Sequence, residues 1–289
     1  LQQATRRIAR GDRAVQVAAP GSARSGALEI DQLVADVNSM AVGLAALEDT
    51  RRRWIAQISH ELRTPLAVLR GELEAIEDGA RSPTPALLAS LGQEVRQLTR
   101  LVDDLHTLSV ADLGQLPCSF DDDDADAQLR RIAGRFATRA GQLGLGLELP
   151  GPAAPLPARW DFGRIAQLLG NLLENSLRYT QAPGRIRIDW QADGAWLRLS
   201  VDDSAPGVAP ADRARLFEPL YRVDAARSRT ESTGSGLGLS IAQAIAAAHR
   251  GRISLHDSPL GGLRVQVDLP LQPQLTERRR DGARSGGVA

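Results

Sequence analysis

The sequence predicts a multidomain chain in which α-helical segments come first and an α+β domain follows. Three observations support this division. Apolar residues recur three and four positions apart between Ile30 and Leu47, as they do in coiled-coil helices. Two further helical patterns are joined by the helix-breaking segment Ser82–Pro85. Beyond about residue 126, segments that alternate apolar and polar residues are interspersed with helical patterns.

The composition limits the classes of function. The chain has 289 residues with 35 basic and 35 acidic side chains, so its formal net charge is zero and it has no bulk attraction for nucleic acid or anionic lipid. Its one cysteine, Cys118, excludes an internal disulfide and fits a reducing compartment. No apolar run approaches the roughly 18 residues that span a bilayer. Because the sequence starts at Leu1 within a helical pattern and lacks a signal peptide, we expect a soluble fragment of a longer protein.

Residues 1–53 predict a short helix, a connector and a heptad helix. The first helix ends at Gly11-Asp12, and the second contains Asn38-Ser39-Met40. This arrangement resembles a HAMP signal-relay module whose first helix is truncated. A plain dimerisation coil is the alternative. The heptad phase slips after Ile58, which locally changes the supercoil and offers a place where an upstream signal could act.

The segment Ser59–Leu66 places a histidine beside a carboxylate within a helical pattern. The imidazole of His60 can be a neutral nucleophile near pH 7. Glu61 could accept the proton of one ring nitrogen and leave the other free to attack. Pro65 lacks the N–H that would bond the Glu61 carbonyl, so the helix can bend there. These features suggest a phosphate acceptor that must meet different partners.

A second helix follows Pro85 and carries its own apolar seam, which comprises Leu88, Leu91, Val95, Leu98, Val102 and Leu105. One hairpin of two helices cannot cover both seams. Residues 54–111 therefore predict a dimeric four-helix bundle from which His60 projects outward.

A linker is predicted over residues 112–125. Its acidic run Asp121–Asp124 could form a metal site, although we interpret these carboxylates as solvated and favourable to the N-terminus of the next helix. Residues 126–272 predict an α/β sandwich with helices on one face of a sheet. The expected strands are 185–190, 196–202, 252–256 and 263–269, and the expected helices are 128–140, 162–179 and 238–249. Residues 273–289 predict a disordered tail.

Two further polar motifs suit a phosphate-containing ligand. Asn171, Glu174, Asn175 and Arg178 recur three or four positions apart and share one helix face. Amide oxygens suit Mg²⁺, and the guanidinium of Arg178 suits a phosphate oxygen. The segment Gly234–Leu239 opens a helix, where backbone N–H groups can approach phosphate. The polar segment 223–233 before it is typical of a mobile lid.

In this order the motifs resemble the sequence boxes of sensor histidine kinases. Ser59–Leu66 resembles the H-box, Asn171–Thr180 the N-box, Asp202–Val208 the G1 box, Leu216–Arg222 the F-box and Gly234–Leu239 the G2 box. The resemblance covers nearly all of residues 1–270. It implies an ATPase domain of the GHKL type, which is shared with type II topoisomerases, heat-shock chaperones and mismatch-repair ATPases.

A narrower resemblance is to the BaeS-type envelope-stress kinases. It is carried by Trp54–His60, Arg70–Ile76, Asp203–Gly207 and Ser258–Gly262. In such proteins a periplasmic sensor and two membrane helices precede the segment that begins here at Leu1. The resemblance therefore implies a place on the cytoplasmic side of the bacterial inner membrane.

The resemblance also implies roles for individual residues. Asn175 would bind Mg²⁺ with help from Asn171, Tyr179 would lie against adenine, and Asp203 would accept a hydrogen bond from the adenine amino group. The other nucleotide-binding residues would be Arg178, Gly207, Gly234, Gly236, Leu237 and Gly238. Two residues depart from the family pattern. Ala205 replaces a usual glycine, at a cost of about 1 kcal/mol if the position needs positive φ, and Leu220 replaces a common phenylalanine.

The implied activity is ATP-dependent autophosphorylation of His60 within a homodimer. The phosphoryl group would pass to an aspartate of a response regulator, expected to be of the OmpR-like class, and Thr64 would orient water in a regulator phosphatase reaction. Two alternatives stay open. One is an ATP-driven clamp in which Glu174 activates water. The other is a phosphatase-dominant or non-catalytic signalling partner. His106, His249 and His256 lie outside any H-box pattern and are interpreted as structural or surface residues, with His106 and His249 each ending a helix.

Overall fold

A computed structural model of the chain describes residues 27–151, 154–223 and 235–272. The chain divides into two compact units at Leu88. The first predicted HAMP helix, most of the predicted lid with Gly234, and the predicted tail lie outside the described residues. No helix in the part that the structure describes combines the length and the apolar character needed to cross a membrane.

Helix α1, Ala27–Glu77, has 51 residues and continues through Pro65. The prediction that the heptad helix runs into the His60 helix is therefore confirmed. Helix α2, Pro85–Asp112, begins where the sequence predicts, because proline suits a first helical position and Oγ1 of Thr84 accepts the Leu87 N–H at 3.2 Å. The prediction that His106 ends this helix is wrong. The helix continues for six more residues, since no glycine or proline follows before its end.

The acidic run forms strand β1, Asp121–Asp124, which pairs antiparallel with β3, Pro157–Trp160. The predicted linker is therefore wrong at its C-terminal end. Aspartate has a low strand propensity, but the pairing uses backbone groups and leaves most of these carboxylates in solvent. As expected, the run favours the next helix, because the Asp124 side chain accepts the Asp126 N–H at 3.0 Å.

The predicted helix 128–140 is two helices, α3 at Ala125–Gly134 and α4 at Ala137–Gln142. Glycine has a low helix propensity, so the end of α3 at Gly134 agrees with local preference. Strand β2, Leu145–Glu148, follows after a turn at Gly144 and was not predicted.

The larger sheet contains β2 and four further strands, which are β4 at Gly184–Asp193, β5 at Trp196–Ser204, β6 at Arg252–Asp257 and β7 at Gly261–Pro270. These confirm the four predicted strands. The strand order of this sheet is β2-β4-β5-β7-β6. β2 pairs parallel with β4, and the remaining pairs are antiparallel. Alternate residues of β5 are buried, which gives the sheet an apolar face.

Two helices position the candidate site. Helix α5, Phe162–Tyr179, begins at Asp161, whose side chain accepts the Arg164 N–H. Helix α7, Gly238–Ala248, packs against α5, and both contact strands of the larger sheet. A short helix α6, Pro210–Arg213, and a 3₁₀ turn, Ala214–Phe217, follow β5. The predicted arrangement of a helical region followed by an α/β domain is confirmed.

Candidate active site

Asp203 is a buried carboxylate at the end of β5. It is 5% exposed, and its Oδ1 accepts the Leu263 N–H at 2.7 Å while its Oδ2 accepts the Ser176 hydroxyl at 3.2 Å. Burial raises the pKa of Asp203 to about 6, against the opposing effect of these hydrogen bonds. The carboxylate is held in a fixed orientation where α5, β5 and β7 meet.

Gly262 makes the Asp203 position possible. A Cβ on Gly262 would overlap Oδ1 of Asp203 and lie 2.6 Å from the backbone oxygens of Asp203 and Ser204. Only a glycine fits this close approach. Gly207 lies on the other side of the same turn, and a Cβ there would be 3.5 Å from the Gly262 oxygen.

A second part of the site lies where α7 begins. A Cβ on Gly238 would be 3.6 Å from Cβ of Asn171, so the first residue of α7 lies directly against α5. No side chain caps the N-terminus of α7, and Leu237 is fully buried before it. The opening N–H groups of a helix are donors that suit an anion.

Backbone geometry at Gly236 and Leu220 supports this helix start. The Leu220 N–H donates to the Gly236 oxygen at 3.0 Å, and both residues have positive φ, 71° at Gly236 and 65° at Leu220. A Cβ on Gly236 would lie 2.9 Å from the Leu220 backbone, so the glycine is required there. Ala205 does not have positive φ, and the backbone cost considered for it does not arise.

Helix α5 relates the two parts of the site. Ser176, which contacts Asp203, is five residues after Asn171, which contacts Gly238. Five helical residues span about 7.5 Å along the axis. The site therefore has a carboxylate end and a helix-N-terminus end, and Asn175 lies on α5 between the two contact residues.

The structure brings only some of the predicted residues into these contacts. Asn171, Asp203, Gly207, Gly236, Leu237 and Gly238 occupy the two ends described above. Arg178 and Tyr179 are exposed near the end of α5. Sequence reasoning missed Ser176 and the Leu263 N–H. Ser176 lies within the N-box and could have been noticed, whereas a backbone donor leaves no sequence signal.

The side chain of Asn171 would fit a phosphate-containing ligand. Nδ2 of Asn171 is buried, and it has no hydrogen-bond partner among the described residues. An amide offers one donor group and one acceptor, which suits a phosphate oxygen or a metal-bound water. In the described ranges no group of three or more His, Cys, Asp or Glu side chains could hold a metal. That finding includes the Asp121–Asp124 run.

Glu174 lies on the same helix but is paired. Its carboxylate forms an ion pair with Arg139 of α4.

His60, Glu61 and Thr64 lie in the other unit, on α1. His60 is exposed, Glu61 is half-buried, and the exposed Thr64 donates its hydroxyl to the His60 carbonyl at 3.3 Å. All three residues lie on one segment of this helix, and their catalytic roles stay a prediction.

The remaining histidines agree with the structural and surface interpretation. His106 and His256 are exposed, and Nε2 of His256 lies 2.9 Å from the Ser254 hydroxyl. His249 is fully buried and directly follows α7.

Comparison with known families agrees with both regions. Residues 50–114 match the His Kinase A (phospho-acceptor) domain, and residues 161–273 match the Histidine kinase-, DNA gyrase B-, and HSP90-like ATPase family. The chain is 46% identical over 247 residues to the signal transduction histidine-protein kinase BaeS of Escherichia coli K12, which is 86% of this chain and 52% of the relative.

The chain belongs to the sensor histidine kinases. Its ATPase region is of the GHKL type. The chain spans about half the length of the curated relatives it matches, with 52% for BaeS.

Solved structures of histidine kinases share the fold. The Acinetobacter baumannii histidine kinase AdeS has a TM-score of 0.61 and 31% identity, over 73% of this chain and 98% of that one. Full-length ShkA in complex with AMPPNP has a TM-score of 0.55 and 28% identity, over 75% of this chain and 45% of that one.

Proposed function

We propose that this histidine kinase binds ATP with Mg²⁺, phosphorylates His60 and passes the phosphoryl group to an aspartate of a response regulator. The observation that carries the proposal is the pair of contacts on α5, Ser176 with Asp203 and Asn171 with Gly238. These contacts place a buried acceptor beside one turn of α5 and the N-terminus of α7, which has no side-chain cap, beside an earlier turn of the same helix.

Such a site matches the two ends of a nucleotide. Asp203 would accept a hydrogen bond from the adenine amino group, and the start of α7 would receive phosphate oxygens. ShkA, a structural relative, was solved with AMPPNP, which supports a nucleotide ligand. Asn175 and Asn171 would hold Mg²⁺, which supplies charge neutralisation of the phosphates when bound.

Arg178 and Tyr179 would complete the nucleotide site from the end of α5. Their exposure leaves both side chains able to reach a ligand. Gly207 and Gly236 would keep the backbone close to it, and Gly234 is proposed from the sequence motif alone.

In the proposed reaction a ring nitrogen of His60 attacks the γ-phosphorus. An N–P bond forms, the bond from that phosphorus to the bridging oxygen breaks, and ADP leaves. Glu61 accepts the proton of the other ring nitrogen. His60 is exposed on α1, so it can meet a nucleotide-bearing domain and a regulator in turn.

The helical region favours a homodimer as the working state. Leu66 and Leu73 of α1 are 53% and 50% exposed, and Val95 and Val102 of α2 are 52% and 53% exposed. A second copy would cover these side chains in a four-helix bundle. We further propose an OmpR-like regulator, a HAMP relay over residues 1–53, and attachment to the bacterial inner membrane through upstream helices.

Regulator phosphatase activity is a second candidate, favoured by the Thr64 position. Its hydroxyl lies on the helical turn that follows His60 and is exposed. It could orient a water molecule towards a phosphorylated regulator bound at His60. The Arg139–Glu174 pair argues against the ATP-driven clamp, because that alternative needs the Glu174 carboxylate to face a water molecule, whereas here it faces a guanidinium.

Labelling with γ-³²P-ATP and Mg²⁺ tests the proposal. We expect an acid-labile, base-stable label on the parent chain and its loss in His60→Gln and in Asn175→Ala. The two variants separate the roles, because His60→Gln should still bind ATP whereas Asn175→Ala should lose Mg²⁺-dependent binding. Labelling of His60→Gln at the parent level would refute His60 as the acceptor. Binding of ATP by the parent without labelling would favour the phosphatase alternative.

A further inference from the structure

Arg213 connects the loop after β5 to the end of β6. Its Nε–H donates to the Val208 carbonyl oxygen at 3.0 Å, and its Nη1 donates to Oδ2 of Asp257 at 3.3 Å. Nη2 also contacts Asp257. The Arg213 side chain is only 20% exposed, whereas that of Asp257 is 83% exposed. The guanidinium therefore lies against the protein and joins segments that are distant in sequence.

The loop that Arg213 holds is Ala205–Val208, the segment that directly follows the Asp203 strand. The Gln181 N–H donates to the Ala205 oxygen at 3.3 Å, which tethers the start of the loop to the end of α5. Gly207 lies beside the Gly261–Gly262 turn that contacts Asp203. Arg213 tethers the far end of the loop through Val208.

The chemistry of the side chain suits this position. A guanidinium is a planar group whose N–H donors can bond a carbonyl and a carboxylate at the same time. A lysine ammonium cannot reproduce this planar geometry. An exposed ion pair alone contributes little to stability. Asp257 contacts both terminal nitrogens of the guanidinium, while Nε faces the Val208 oxygen.

We propose that Arg213 is a positioning residue for nucleotide binding, which holds the Ala205–Val208 loop in place beside Asp203. This inference rests on the proposed nucleotide site and goes beyond it, because Arg213 belongs to none of the family sequence boxes. The hydrogen bond from Arg213 to the Val208 oxygen lies at the carboxylate end of the site. Arg213 therefore affects recognition of the base rather than of the terminal phosphate.

Hydrogen–deuterium exchange in the absence of nucleotide tests whether Arg213 holds the Ala205–Val208 loop in place. We expect Arg213→Met to speed exchange in a peptide covering residues 204–209, and Asp257→Asn to have a smaller effect in the same peptide. Arg252→Met is the matched control, because Arg252 lies on β6 and pairs with Asp268 at 2.8 Å without contacting the loop. Unchanged exchange in Arg213→Met would overturn the proposal.

Calorimetric titration with ADP and with ATP tests the consequence. We expect Arg213→Met to weaken both nucleotides by the same factor, about tenfold, because the loop must then be ordered on binding. Arg213→Lys should recover only part of this affinity, and Arg252→Met should bind as the parent does. A loss confined to ATP, or parent-level affinity for both nucleotides, would contradict a role at the base end.

The two proposals fail in different ways. If the parent chain binds neither nucleotide, the proposed function is wrong and the nucleotide part of this inference is overturned with it. If the parent binds both and Arg213→Met binds equally well, only the Arg213 proposal is overturned.

Discussion

The backbone N–H of Asp161 donates a 3.1 Å hydrogen bond to Nε2 of His249, which joins the start of α5 to the end of α7. Nδ1 of His249 lies 2.9 Å from the Ile245 oxygen, so the neutral ring carries its proton on Nδ1. The Asp161 carboxylate also accepts the Ser119 N–H at 2.8 Å. This junction therefore links the two helices of the candidate site to the segment that precedes β1.

Replacement of His249 should change the pH dependence of stability. Burial lowers the pKa of His249 below its ordinary value of 6.5. The unfolded chain then binds more protons as the pH falls below about 6.5, so the folded state loses stability on acidification until the folded pKa is reached. We expect His249→Gln to flatten this dependence. It should also lower the free energy of unfolding at pH 8 by about 1–3 kcal/mol, because buried partners are left unpaired.

Urea unfolding of the parent and His249→Gln at pH 5.5 and pH 8 measures both effects. His256→Gln is the control, because His256 is exposed. A His249→Gln variant whose stability depends on pH as steeply as that of the parent would count against this assignment.

Replacement of Asp161 should weaken the start of α5. The Asp161 side chain accepts the Arg164 N–H at 2.9 Å as an N-cap. We expect Asp161→Ala to cost about 1–2 kcal/mol of unfolding free energy, whereas Asp161→Asn should cost less because asparagine also caps helices. Urea unfolding at pH 7 distinguishes the two variants. Equal losses would show that capping is not what Asp161 contributes.

Asp203→Asn should stabilise the fold while it weakens nucleotide binding. The folded pKa of about 6 lies above the ordinary 3.8, so the folded state gains stability from protonation as the pH falls through 6. Above pH 6 the buried carboxylate is ionised and costs roughly 3 kcal/mol. A neutral amide avoids that cost, so we expect a higher melting temperature for Asp203→Asn at pH 8.

The same variant should bind ATP about tenfold or more weakly, because an acceptor for the adenine amino group is lost. Parent binding should also weaken below pH 6. Calorimetry at pH 5.5 and pH 8 checks both points. An Asp203→Asn variant that is less stable at pH 8 would contradict the burial argument.

Gly262→Ala should damage the carboxylate end of the site. The added Cβ would overlap Oδ1 of Asp203, and the neighbouring backbone oxygens cannot move away cheaply. We expect a loss of about 2–4 kcal/mol in unfolding free energy. Gly134→Ala is the control, since open space surrounds Gly134 and alanine favours the helix. Similar stabilities of the two variants would refute the close approach at Gly262.

Local signals account for what the sequence predicted well. The sequence predicted a helix at 162–179, and α5 has those bounds because Asp161 caps it and its apolar residues keep helical spacing. β1 was missed because four aspartates resemble a solvated loop, and only the distant partner β3 makes them a strand. β2 is four residues long and leaves little room for an alternating pattern.

In the candidate site, too, some features have a local sequence signal and others depend on residues distant in sequence. Residue type and helical spacing identified Asn171, and the resemblance of its segment to the G1 box identified Asp203. The hydrogen bond between Leu263 and Asp203 joins residues 60 positions apart and uses a backbone donor. The Arg139–Glu174 pair depends on where α4 lies beside α5. Such contacts follow from the tertiary fold and have no local pattern.

The position of β7 in the sheet has a consequence for synthesis of the chain. β7 follows the other described strands in sequence, yet it lies between β5 and β6. Leu271, just after it, accepts the Arg159 N–H and donates to the Ala195 oxygen, both at 2.8 Å. A nascent chain on the ribosome therefore holds β5 and β6 without their shared neighbour until about residue 270 has emerged. During that interval Asp203 lacks its Leu263 donor, so the carboxylate end of the candidate site is completed only after β7 has emerged.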